Sequence, residues 1–108
     1  MKPSMYKIDR EKWNRFSPQI QLQHIAVELG RAAQAGLREG NEERRWTEEA
    51  YERALVMIDA CLDEPQLKER ILMYQLRDAI AALYAGDRNP AISRFISFYL
   101  LENSKNIT

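Results

Sequence analysis

Apolar residues return every three or four positions along most of this chain, and proline and glycine mark where each run begins and ends. After Ser17-Pro18, the residues Leu22, Ile25, Ala26, Leu29, Ala32, Ala33 and Gly36 fall on one stripe of an α-helix. Ser17 suits its N-cap, and Pro18 suits its first position, where a missing N–H costs nothing. Gly40-Asn41 reads as its stop. Thr47 reads as the cap of a second helix, with Glu48 and Glu49 near its positive end. Its stripe is Ala50, Tyr51, Ala54, Leu55, Ile58, Cys61 and Leu62, and it ends near Asp63. A third helix follows Pro65 and runs to about Ala85, closed by Gly86. Asn89-Pro90 repeats the cap-then-proline signal. The last helix turns Ile92, Phe95, Ile96, Tyr99 and Leu100 inward and frays near Asn103. A short helical segment from Asp9 to Arg15, holding Trp13, leads in. No run alternates with period two, so no strand is expected. Apart from Glu39 to Trp46, the connections are short, which makes sequential helices antiparallel neighbours. The expected fold is all-α, a single domain over residues 1–108. It is an antiparallel bundle of three long helices, a shorter C-terminal helix and an N-terminal helical segment.

The third helix has two apolar sides. Leu72, Met73, Leu76, Ala79, Ile80 and Leu83 share one face; Leu67, Ile71, Tyr74, Ala81 and Ala82 share the other. A surface helix needs only one stripe. Two stripes make this either the central helix of the bundle or the seam between two subunits. Phe98 and Leu101 project from the outer side of the last helix and add to the case for self-association. A closed two-fold dimer is the commonest form of such association. Asp78 sits within the second face, between Tyr74 and Ala82, where a carboxylate needs a partner or an upward pKa shift. It reads as a structural ion pair, as a gap in the apolar face open to water, or as a polar contact that sets the register of a seam.

Composition narrows the function. The chain has 108 residues, with 16 basic side chains balanced by 16 acidic ones. A dedicated polyanion binder is usually basic overall, so nucleic acid is an unexpected partner. No apolar run approaches the roughly twenty residues of a membrane span, and no apolar stretch follows the basic start as a secretory signal requires. The cytoplasm is the expected compartment. One cysteine, Cys61, excludes an internal disulfide and a cysteine zinc cluster. One histidine, His24, excludes the two Glu-x-x-His pairs of a di-iron bundle. His24 and Glu28 lie one turn apart but have no companion ligands, and His24 reads as a solvated surface residue. Cys61 lies on an apolar stripe and reads as a buried structural thiol. There is no phosphate-cradling glycine loop, serine elbow or serine-lysine dyad. No enzyme activity, cofactor or metal is expected.

Arginine outnumbers lysine eleven to five. Arg31 and Arg38 are seven apart on the first long helix, and Arg70 and Arg77 repeat that spacing on the third. Arginines so spaced can line a face and grip phosphate or carboxylate in bidentate fashion. They can equally be solvated, with neighbours such as Glu28 for Arg31 and Glu49 for Arg53. Residues 1–16 carry a net charge of about +3 and residues 41–64 about −5, from counting Lys and Arg against Asp and Glu. The two segments can attract each other or act as independent solvated faces.

Tyr51-Glu52-Arg53-Ala54-Leu55, with Leu29-Gly30 on the preceding helix, resembles fragments of a tetratricopeptide helix pair. The resemblance covers one pair, no second copy follows, and it implies a shared way of packing helices rather than membership. The expected function is a non-catalytic helical interaction module, a homodimer, with Leu67, Ile71, Tyr74, Asp78, Phe98 and Leu101 as candidate contacts. The alternative is a small bundle that binds nucleic acid or a phosphorylated ligand through Arg31, Arg38, Arg70 and Arg77.

Overall fold

The computed structural model describes residues 6–38, 40–63, 70–86 and 88–104. Within them lie five α-helices and no strand: α1 (Arg10–Arg15), α2 (Pro18–Gly36), α3 (Asn41–Leu62), α4 (Arg70–Ala85) and α5 (Pro90–Ser104). The all-α bundle expected from the periodicity is the observed architecture. Two of its starts use the caps expected from the sequence, and Asp9 supplies a third. The Asp9 carboxylate accepts from Lys12 N–H at 3.2 Å, Ser17 Oγ from Ile20 N–H at 3.2 Å, and the Asn89 side chain from Ala91 N–H at 2.9 Å. Each satisfies one of the first-turn donors that a helix leaves open.

Three expectations need correction. First, α2 stops at Gly36 and α3 starts at Asn41, six residues before Thr47. Thr47 is buried inside α3, and its hydroxyl donates to the Glu43 carbonyl at 2.9 Å rather than capping. Glu42 and Glu43 fall in the first turn of α3, where a negative charge is favourable. Gly36 ends α2 where Pro90 crosses it: a Cβ there would stand 3.3 Å from Pro90 Cβ. Glycine thus permits the close approach of α5's first residue.

Second, the central helix is α2, not α4. It packs on both α3 and α5, whereas α4 packs mainly on α3. The burial of α2 spans about half its circumference, from Glu28 and Ala35 on one side to Ala26 and Ala33 on the other. α4 buries Met73, Leu76, Ile80 and Leu83, all from the first of its two apolar faces. Of its second face, Ile71, Tyr74 and Ala82 are exposed and Ala81 is half-buried.

Third, α5 is rotated about its axis from the expected orientation, with Leu100 inward and Phe98 and Leu101 outward as expected. It buries Ser93, Ser97, Leu100 and Ser104, while Ile92, Phe95 and Tyr99 are exposed and Ile96 is half-buried. The cause is the partner surface. α2 meets α5 with Ala26, Gly30 and Ala33, and a Cβ on Gly30 would lie 3.5 Å from Ser97 Oγ. Helices that approach this closely need small side chains between them. Serine serves here because each hydroxyl finds a partner. Ser97 donates to the Ala26 carbonyl at 2.7 Å, Ser104 to the Leu101 carbonyl at 2.9 Å, and Ser93 hydrogen-bonds the Tyr51 hydroxyl.

The main core lies among α1 to α4, around Trp13, Leu22, Ile25, Leu29, Tyr51, Ile58, Met73 and Ile80, and Leu100 closes it from α5. Burial of an apolar side chain contributes about 1.5–3 kcal/mol, so this cluster dominates the stability of the fold.

Candidate functional site

Among the described residues, the outer side of α5 carries more exposed large apolar side chains than any other helix. Phe95 is 69% exposed and Phe98 62%, and Ile92, Tyr99 and Leu101 are exposed beside them. These are the residues that hydrophobicity alone would place inside. They stay outside because the opposite side of the helix is committed to its close, serine-lined contact with α2. Arg94 lies beside Phe98 on this face, its guanidinium 5.9 Å from the centre of the Phe98 ring. Between α5 and α2 runs a groove of about 600 Å³, bounded by Gly30, Ala33, Leu37, Pro90, Arg94, Phe95 and Phe98.

α4 presents a smaller open face. Ile71 is 75% exposed, and Tyr74 and Asp78 are exposed near it. Asp78 therefore needs no buried partner. Leu67 lies outside the described residues. The candidate contacts consequently divide between two helices that do not pack extensively on each other: Ile71, Tyr74 and Asp78 on α4, and Phe98 and Leu101 on α5.

The four candidate arginines do not gather into one site. Arg31 donates to Glu28 at 2.9 Å, and Arg77 to Asp59 at 2.6 Å. Arg70 reaches the Leu62 carbonyl at the end of α3. Arg38 lines a cleft of about 790 Å³ at the α2–α3 turn, together with Arg44 and Arg88 but also Glu43 and Glu48. Arg88 in that cleft is engaged by Glu48 at 2.8 Å. The cleft is of mixed charge, and its basic and acidic groups partly neutralise one another.

The least expected polar feature is Glu28. Its carboxylate is almost fully buried against α3, where Arg53 donates to it at 2.8 Å while Arg31 donates to its other oxygen. A buried carboxylate needs this double engagement, and it ties α2 to α3. The i,i+3 link to Arg31 was legible in the sequence. The link to Arg53, twenty-five residues on, was not, and Glu49 lies 3.9 Å from Arg45 instead. The basic lead-in and the acidic α3 do meet, through an ion pair between Arg10 and Asp63.

His24 is exposed, as expected, with its ring stacked on Phe16 at 5.0 Å and edge-on to Trp13. Among the described residues, no group of three or more His, Cys, Asp or Glu side chains is placed to hold a metal. Burial pushes the Cys61 thiol up to about 11, against a weaker opposing pull from Trp13, which keeps the thiol neutral and unreactive. The Tyr84 hydroxyl donates to Glu52 at 2.8 Å, and that bond to a carboxylate, followed by burial, raises its pKa. No helix among the described residues is long and apolar enough to cross a membrane. No family model, no curated protein and no solved structure matches this chain.

Proposed function

We propose that this chain is a non-catalytic helical interaction module. It docks through the outer face of α5 and works as a homodimer in the cytoplasm, where its lone cysteine needs no disulfide partner. One observation carries the reading: α5 buries serines and exposes Ile92, Phe95, Phe98, Tyr99 and Leu101. Contiguous apolar surface of this kind marks interaction sites in soluble proteins. Aromatic side chains supply most of the energy at such sites. The arginine reading loses support because Arg31 and Arg77 are engaged by Glu28 and Asp59.

The test is sedimentation equilibrium with circular dichroism. The wild type runs as two chains at tens of micromolar. Phe98→Glu places an unpaired charge at the centre of a dry contact, which costs several kcal/mol, so the dissociation constant rises by about a hundredfold or more. Helix content stays unchanged, because Phe98 makes no part of the core. Ile71→Glu, on α4, leaves the dimer intact. A wild type that sediments as one chain overturns the homodimer. A Phe98→Glu dimer as tight as the wild type removes α5 from the contact.

A further inference from the structure

We infer that the occupant of the α5 face is α5 of a second copy of this chain, antiparallel, about a two-fold axis beside Phe98. This rests on the docking role proposed for α5 and adds the partner, its direction and its register.

The charges on that face carry the argument. A helix turns about 100° and rises about 1.5 Å per residue. Measured from Phe98, Arg94 lies four residues before and Glu102 four residues after. Both fall within about 40° of the direction of Phe98, at about 6 Å on either side of it. Phe95 and Leu101 are likewise three residues before and three after. A two-fold contact must complement itself, so each residue meets its mirror position. Antiparallel pairing about Phe98 sets Arg94 level with Glu102 of the partner subunit, twice over. It also sets Phe95 level with Leu101 of the partner subunit, at the mouth of the groove between α2 and α5. Parallel pairing in register would set arginine against arginine and glutamate against glutamate, and such like-charge contacts disfavour a complex. Arg94 makes no ion pair among the described residues; it lies over its own Phe98 ring and is exposed. Axes at the usual 8–10 Å leave the two Phe98 side chains in contact at the symmetry axis.

Charge exchange tests the register. Arg94→Glu sets carboxylate against carboxylate at both symmetry-related contacts, and Glu102→Arg sets guanidinium against guanidinium at both. Each single variant raises the dimer dissociation constant by about tenfold or more at physiological salt. The double variant, Arg94→Glu with Glu102→Arg, returns it to within about threefold of wild type. Arg38→Glu makes the same change in net charge as Arg94→Glu but lies at the α2–α3 turn, and it leaves the constant unchanged. If the single variants dimerise as tightly as wild type while Phe98→Glu dissociates, the antiparallel register is wrong and the α5 contact stands. A double variant no tighter than the singles also overturns the register. If the wild type is monomeric at tens of micromolar, the second copy is not the occupant and the homodimer reading falls with it.

Discussion

α4 and α5 flank the same pair of helices and solve the same problem in opposite ways. α4 lays Met73, Leu76, Ile80 and Leu83 onto its neighbours, as an amphipathic helix does. α5 buries Ser93, Ser97 and Ser104, with Leu100 as its one large buried side chain, and turns its aromatics to solvent. The first helix is held by the amount of apolar surface it removes from water. The second is held by how closely its backbone approaches, with hydroxyl groups satisfied one by one. A helix bound in this second way keeps its apolar side available for another molecule.

The contrast can be broken most sharply at Ile80. Ile80→Ala empties a fully buried site and destabilises the fold by about 2–5 kcal/mol, read as a lower urea midpoint. A loss under about 1 kcal/mol would mean that α4 is not held by large side chains. Ser97→Leu tests the other flank. It forces bulk into the contact with Gly30 and Ala26, and costs about 1–3 kcal/mol although the new side chain is more apolar. Stabilisation by Ser97→Leu would refute the close-packed account of α5.

Tyr51→Phe separates packing from hydrogen bonding where α3 meets α5. It keeps the ring and leaves the Ser93 hydroxyl without its partner, at a cost of about 1–2 kcal/mol. Burial raises the Tyr51 pKa above its usual 10.0, against weaker downward pulls from Ser93 and Arg88. Above about pH 10 the unfolded chain therefore releases this proton while the folded chain retains it. The contribution is fully present below about pH 10 and is lost as the pH rises through the folded value. The stability gap between wild type and Tyr51→Phe should narrow across that range in urea melts at successive pH values. The smallest effect is expected outside. Phe98→Ser, measured where the chain is monomeric, changes stability by no more than about 0.5 kcal/mol. A larger loss would make the outer face of α5 part of the fold itself.

Much of the frame was legible because its signals are local. Ser17-Pro18 and Asn89-Pro90 cap where their chemistry says they should, and the buried side of α4 lies within the stripe its period marks out. Thr47 misled because a hydroxyl that can cap a helix can also donate to the carbonyl four residues back. α5 misled for a different reason. Side-chain hydrophobicity ranks phenylalanine above serine for burial, but the distance between α2 and α5 is set by Gly30, Ala26 and Ala33, far back along the chain. That distance excludes large side chains whatever their affinity for water. Of the candidate contacts, Phe98 and Leu101 were marked from sequence; Phe95, Ile92 and Tyr99 were missed because they were assigned to the core. The Glu28–Arg53 pair was invisible for the same reason: it joins two helices whose relative rotation is a property of the whole packing.

The small-residue contact between α2 and α5 also bears on the order in which the chain assembles. Arg53 and Glu28, which join α2 to α3, are 25 residues apart, whereas Ser97 and the Ala26 carbonyl are 71 apart. Closing the longer loop costs about 0.9 kcal/mol more in chain entropy, and during synthesis α5 is made after the other four helices. Chain entropy therefore favours the α2–α3 hairpin over the α2–α5 contact. The flank of α2 that receives α5 carries Ala26, Gly30 and Ala33, so before α5 docks it offers mostly backbone and methyl groups. The exposed aromatic side chains belong to α5 itself.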